Sequence, residues 1–377
     1  MRILFIGHNG YDYPHTRVRC YHFAKALSSF PDVETGVLSF RDDLAPHLAE
    51  ADIYSASDRR KLLLTGKALL RLLAHRDTIL YIQKAHFHAA APFLLHRLGI
   101  LPNYIFDYDD YDIPLSNFFS RGVWNRLFFG TNQWDKITYR LATQARGCVC
   151  ASHELLNVLQ PHNPNLAYIP TGVDQNAFSP RDASVQNERI VFLWNGLIWG
   201  KPILDNLLLL FRAFDYAHNE MGAYQLQIIG GGECWSDARA IAAERFSRLP
   251  IEWTEWAKPN EMPHHLRNAD VGLLPAAGND LWLRCKSPTK LFEYMASGLP
   301  VVASNVGEAS HVIDHLESGY CAKDERDFSQ GLIRLSNDEQ LRRNFGNKAR
   351  TTIVDNYSLP VLGENLYLFL KNLLSDR

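Results

Sequence analysis

Lys290 and Glu293 stand three residues apart in the run Ser287-Pro288-Thr289-Lys290-Leu291-Phe292-Glu293-Tyr294-Met295-Ala296-Ser297-Gly298-Leu299-Pro300-Val301-Val302-Ala303-Ser304. The run reads as a helix that breaks at a glycine and drops at once into a buried strand. Leu291, Tyr294 and Met295 fall at i, i+3 and i+4, one helical face, leaving Lys290 and Glu293 on the other side of the same turns. Gly298 supplies the positive φ that a helix end commonly needs, and Pro300 blocks continuation. Val301-Val302-Ala303 has the apolar, β-branched character of a strand covered on both faces. Such a unit holds two opposite charges at the rim of an α/β sheet, where ligands bind.

Other loops could share that rim. Gly7-His8-Asn9-Gly10 follows the first strand, and its glycines let a ligand approach the backbone closely. It is not a GxGxxG fingerprint, which argues against a dinucleotide oxidoreductase. Arg17 and Arg19, near the start of the next helix, could bind an anion or simply form a solvated helix start. Trp194-Asn195-Gly196-Leu197-Ile198-Trp199-Gly200-Lys201 is a glycine-bearing loop with a lysine, suited to a diphosphate. It lacks the Walker spacing, so phosphoryl transfer from ATP is not indicated. Lys201 reads as a phosphate ligand or as a surface lysine. Gly230-Gly231-Gly232 makes another sharp turn after a strand. Phe106-Asp107-Tyr108-Asp109-Asp110-Tyr111-Asp112 sets four aspartates at a strand end. They could bind a metal, act as a base, accept from sugar hydroxyls, or form a turn. His86 and His88 follow another strand and face a ligand or hold structure.

These loops need a scaffold of parallel strands. Strand-like runs at 3–6, 33–38, 78–83, 104–107, 147–151 and 167–169 alternate with helical patterns, beginning with one at 16–30. The pattern restarts with strands at 190–194, 224–230, 251–254, 271–274 and 301–303, and closes with a helix at 362–374. Repeated β-then-α implies parallel sheets with right-handed crossovers. A chain of 377 residues exceeds one ordinary core, so two tandem α/β domains facing a cleft are expected. Between them, residues 179–188 read as a polar linker.

Composition narrows the function. Hydrophobic residues are 46%, charged residues 21% and the net charge is -2, which describes a globular chain with no general affinity for nucleic acid. Six scattered cysteines lack CxxC spacing and read as buried thiols of a reducing cytosol. The apolar start, Ile3 to Ile6, is too short for a signal peptide, and no run approaches the ~18 apolar residues of a membrane span. Residues 118–129 interleave Phe118, Phe119, Trp124, Phe128 and Phe129 with Arg121 and Arg126. That mixture suits peripheral contact with a membrane or an apolar acceptor, or else a helix packed on the first domain.

The tandem layout and the run from Lys286 to Gly307 resemble GT-B nucleotide-sugar glycosyltransferases of the family 4-like group. Ile169-Pro170-Thr171-Gly172-Val173-Asp174, the Asn195-Gly196 to Lys201 loop and Ala269-Asp270-Val271-Gly272-Leu273-Leu274-Pro275 join the resemblance, which spans most of the chain. It implies an acceptor-binding Rossmann-like domain at 1–180, a donor-binding one at 181–355, and a helix at 356–377 packing back on the first. The family's second glutamate, on the donor ribose, matches Glu293. Its first would fall at Cys285, which is not an acid. Lys286 and Lys290 appear instead and are assigned with Lys201 to the donor diphosphate. Gly10, Gly196, Gly231, Gly307 and Glu308 fall near the donor, and Trp256 near its base. Asp109 and Asp110 occupy the place of a His-Asp pair, with Asp109 in place of the histidine. Arg17, Arg19, His86, Asp109 and Asp110 are then acceptor-side candidates, and Lys201, Lys290 and Asp109 catalytic ones.

The resemblance implies a cytoplasmic enzyme, able to lie peripherally at a membrane. It would move a hexose-like sugar, with retention, from a nucleotide diphosphate to a glycan or lipid-linked acceptor, using no metal or other cofactor. Cell-surface polysaccharide or glycolipid assembly is the expected setting. Alternatives are a nucleotide-sugar epimerase of the same fold and a non-catalytic sugar-nucleotide-binding partner.

Overall fold

The computed structural model describes residues 1–101, 103–113, 116–182 and 187–375. Residues 183–186 of the expected linker lie outside this set. The chain forms two compact units. One holds Met1–Thr171, Cys285–Ser287 and Leu359–Arg377, and the other Gly172–Arg284 and Pro288–Ser358. The division after Thr171 precedes the expected boundary at 180, and Leu359–Arg377 joins the first unit.

In the first unit six parallel strands carry near-continuous apolar runs, as strands covered on both faces must. They are β1 (Arg2–Gly7), β2 (Glu34–Ser39), β3 (Ile79–Gln83), β4 (Tyr104–Tyr108), β5 (Gly147–Cys150) and β6 (Leu166–Tyr168), in the order β2-β1-β3-β4-β5-β6. One face carries Ile3, Phe5, Tyr81, Ile105 and Val149. It is covered by Leu362, Leu366 and Leu370, spaced four apart on the helix Leu359–Ser375. That helix approaches closely because Gly363 has no side chain: a Cβ there would lie 2.8 Å from Ala26 Cβ. The helix expected at 16–30 is shorter and interrupted. Pro14–Thr16 leads into a π-helical turn, Arg17–His22, and then into Phe23–Leu27.

The second unit repeats the plan with β7 (Ile190–Leu197), β8 (Tyr224–Gly231), β9 (Ile251–Glu255), β10 (Val271–Leu274), β11 (Val301–Ser304) and β12 (Gly319–Ala322). Their order is β12-β11-β10-β7-β8-β9, again all parallel. Strand β12, with one glycine and no β-branched residue, carries little periodic signal. Asp324 and Asp338 accept backbone N–H bonds at the starts of Glu325–Asn337 and Glu339–Asn356, fixing where those helices begin.

The segment 118–129 follows the second of its two readings, a helix packed on the first domain. Phe118, Phe119, Phe128 and Phe129 are buried, and Phe119 stacks on Phe128. The helix Gly122–Phe129 exposes Val123 and Leu127 instead, beside Arg121 and Arg126. These four phenylalanines thus belong to the first unit's core. Among the described residues, no helix is long and apolar enough to cross one.

Candidate functional site

Each sheet has one point where strand order reverses, and the loops leaving the strands there splay apart to form a crevice. In the second unit that point lies between β7 and β10. The backbone at the end of β7 is tightly apposed to β8. Gly196 pairs with Gly230, and a Cβ on Gly230 would sit 1.9 Å from Gly196 O. Gly232 has φ +106°, and a Cβ there would meet the Ile198 backbone at 2.8 Å. Both positions therefore require glycine. At Gly231 a Cβ would meet only Leu197 Cδ2, at 3.8 Å, so the close approach falls on its neighbours.

The helix Thr289–Ala296 brings its residues to the same place. Tyr294 is wholly buried. Its Oη donates to Asn195 Oδ1 (2.6 Å) and accepts from Asn195 N (3.1 Å). One turn earlier, Lys290 Nζ lies 4.5 Å from the centroid of the buried Trp194 ring. A Cβ on Gly196 would stand 2.9 Å from that ammonium. The structure thus gathers Asn195, Gly196 and Lys290. Glu293, half-buried, follows on the same helix. Beyond β11, Gly307 turns with φ +57° against Arg284 O, and Glu308 is buried.

The other expected donor residues have surroundings of their own. Lys201 occupies the first turn of the helix Gly200–Ala217. Its side chain is 81% exposed and pairs with Asp205 at 2.6 Å. Trp256 is exposed and follows β9, the sheet's edge strand. Lys286 belongs to the first unit, with Nζ 4.0 Å from Asp110 Oδ2. Gly10 also lies in the first unit. Its N–H donates to Glu50, and a Cβ would stand 2.1 Å from Asp42 Oδ1. Two carboxylates make that loop a poor diphosphate cradle, since like charge there would repel the anion.

In the first unit the reversal falls between β1 and β3. The loops there carry His8 and Asn9 after β1 and Lys84, His86 and His88 after β3, with Asp109 to Asp112 after β4. Lys84 is buried with φ +65°, a costly conformation for a residue with a Cβ. Burial disfavours its charge, but Asp109, Asp110 and Asp112 outweigh this and hold its pKa above the lysine range. Burial raises the Asp109 carboxyl to about 6, with Lys84 opposing, and raises Asp112 to about 8. Gln83 Nε2 donates to Asp109 Oδ2 at 3.1 Å.

The histidines have fixed tautomers. Asn117 N–H donates to His86 Nδ1 at 2.8 Å, so the His86 proton sits on Nε2. That nitrogen approaches Asp112 Oδ2 at 3.2 Å, off the line of a good hydrogen bond. His88 Nε2 donates to Gln83 O at 2.7 Å. Burial holds His8, His15 and His86 well below the ordinary imidazole range and His88 at about 3. All four are neutral near pH 7. Sequence reasoning found His86, His88, Asp109 and Asp110 but missed His8 and His15, which no spacing rule ties to the cluster.

The arginines are not available to an anion. Arg19, 1% exposed, pairs with buried Asp107 at 2.6 and 2.9 Å and donates to Ile169 O and Pro170 O. Arg17 is also buried and donates to Tyr11 O and Asp12 O. Both hold chain segments together.

Residues 190–338 match the model of the family described as glycosyl transferases group 1. The chain is 35% identical over 71 residues to the putative teichuronic acid biosynthesis glycosyltransferase TuaH of Bacillus subtilis, covering 19% of this chain and 18% of that protein. It is 31% identical over 123 residues to the amylovoran biosynthesis glycosyltransferase AmsK of Erwinia amylovora, covering 31% and 30%. The matched stretch is thus less than a third of the length of either relative. The crystal structure of Anabaena HepE in complex with UDP superposes with a TM-score of 0.69 at 14% identity, covering 99% of this chain and all of that one. Residues 190–338 thus carry a similarity to the glycosyl transferases group 1, and the two Rossmann-like units have the GT-B fold.

Proposed function

We propose that the protein transfers a sugar from a nucleotide diphosphate to a glycan or lipid-linked acceptor, with retention, in the assembly of a surface polysaccharide or glycolipid. The observation that carries this is the Lys290 ammonium at the strand-order reversal of the second unit, beside backbone stripped of side chains at Gly196 and Gly230. Transfer breaks the bond from C1 to the phosphate oxygen and forms one from C1 to the acceptor oxygen, while the acceptor proton passes to the departing phosphate. Charge gathers on the diphosphate, and a preorganised ammonium with backbone N–H groups stabilises it without a metal. Lys201 would join by exchanging Asp205 for phosphate. Glu293 takes the donor ribose. The polar crevice of the first unit, with Asp109, Asp110 and His86, receives acceptor hydroxyls. Two relatives, named for teichuronic acid and amylovoran biosynthesis, support the polysaccharide setting.

The test offers isotope-labelled nucleotide sugars to the purified protein with membrane and glycan extracts. Transfer of label from one donor is expected, with donor affinity weakened in Glu293→Ala. Folded protein that binds no donor defeats the proposal. An epimerised donor formed without acceptor would replace transfer with epimerisation.

A further inference from the structure

The proposed function gives Lys290 the diphosphate, and the next step rests on that reading. A lysine ammonium on four rotatable bonds is not a fixed charge by itself. Two residues of β7 fix this one. Trp194 and Gly196, two apart on a strand, project to the same side. The Trp194 ring is 2% exposed and lies under the ammonium, 4.5 Å from centroid to Nζ. A Cβ on Gly196 would stand 2.9 Å from Nζ and 3.2 Å from Cη2 and Cζ2 of the indole. The missing methyl is therefore the room in which ammonium and ring edge meet. Between them, Asn195 holds Tyr294 and so fixes the helix that carries Lys290.

We propose that Trp194 is a positioning residue for the transfer reaction, with its indole face holding the Lys290 ammonium where the departing diphosphate gathers charge. The choice of an aromatic ring has a chemical reason. A carboxylate, such as the Asp205 beside Lys201, neutralises the ammonium it holds and competes with phosphate for it. A π face attracts the cation without itself bringing a compensating negative charge. Gly196 completes the arrangement by leaving the ammonium its seat.

The test uses the full chain and four variants, with UDP, GDP, ADP and the matching nucleosides as probes in titration calorimetry. Trp194→Leu should weaken the preferred nucleoside diphosphate about tenfold, the scale of one cation–π contact. Trp194→Phe keeps a ring and should stay within about threefold. Gly196→Ala should weaken it at least as much as Trp194→Leu does, because the new methyl meets the ammonium and the backbone, at φ +158°, disfavours a side chain. Nucleoside affinity should not move in any of them. With Lys290→Met in place, neither substitution should cost more, the mark of residues acting through one another. Additive losses, or equal losses on nucleoside and diphosphate, overturn the positioning role.

A second measurement needs no ligand. After reductive methylation with carbon-13, the Lys290 resonance, assigned by its loss in Lys290→Arg, should be displaced upfield by the indole. It should return to the ordinary position in Trp194→Leu. An undisplaced resonance in the unsubstituted protein overturns the inference. A displaced resonance in a protein that binds no nucleoside diphosphate sinks the functional reading, leaves the ammonium's seat on Trp194 standing and removes its role in transfer.

Discussion

Tyr294 Oη both donates to the side chain of Asn195 and accepts from its backbone N–H, at 2.6 and 3.1 Å. The same ring packs over Gly272 of β10, where a Cβ would lie 2.5 Å from Cδ2. One buried side chain thereby ties the helix Thr289–Ala296 to both strands that flank the reversal point. The helix carries Lys290 and Glu293, so the position of both charges depends on this tie.

Tyr294→Phe keeps the ring and removes the tie. Asn195 loses a partner, and a loss of about 1–3 kcal/mol is expected for the second unit. Donor affinity should fall with it. Gly272→Ala drives a methyl into the ring and should cost at least as much, since the ring has no room to retreat in a packed core. Urea unfolding reads both. Unchanged midpoints would show that the tie contributes nothing.

Lys201→Met separates stability from chemistry. Exposed i,i+4 pairs such as Lys201–Asp205 contribute little to folding. The urea midpoint should therefore stay where it is. If Lys201 exchanges Asp205 for donor phosphate, turnover falls by an order of magnitude or more, on the scale of one lost charge-stabilising donor. Turnover equal to that of the unsubstituted protein removes Lys201 from the site.

The rim of the second unit was legible because its signals are local. Strand β10 matches the expected 271–274 residue for residue, and the break at Gly298 and Pro300 falls where glycine and proline chemistry puts it. The grouping of Cys285–Ser287 with the first unit was not legible, because four residues of sequence separation from Lys290 say nothing about which unit a segment serves. Arg19 was misread because its partner, Asp107, lies 88 residues away. The two readings of 118–129 stayed open in the sequence because composition cannot tell an inner face from an outer one. The hold of Trp194 on Lys290 pairs residues of two elements and has no sequence signature.

Breaking the Arg19–Asp107 pair should unfold the first unit's floor. Both groups are buried, and Arg19 also anchors the Ile169 and Pro170 carbonyls. Removing one partner of a buried pair leaves an uncompensated charge, at a cost of about 3–5 kcal/mol. Asp107→Asn should show most of that loss in denaturant unfolding. A loss near zero would mean that Arg19 can turn to water, contrary to its burial.

The cluster at β1 and β3 sets a stability maximum in pH. Folding raises the Asp112 carboxyl from 3.8 to about 8 and Asp109 to about 6, chiefly through burial. Between those values the folded chain keeps protons that the unfolded chain has released, so stability falls as pH rises through the window. The histidines act in the opposite sense. Unfolded, each takes a proton below 6.5; folded, burial keeps His8, His15, His86 and His88 neutral to far lower pH. Their stabilisation is present above pH 6.5 and is lost as pH falls. Four histidines outweigh two aspartates on the acid side, and Asp112 outweighs the histidines above about 7. Stability should therefore peak near pH 7 and decline on both sides. Asp112→Asn should abolish the alkaline decline and spare the acid one. Urea midpoints at pH 5, 7 and 8 decide it: a decline above 7 that survives the substitution assigns the alkaline loss to another group.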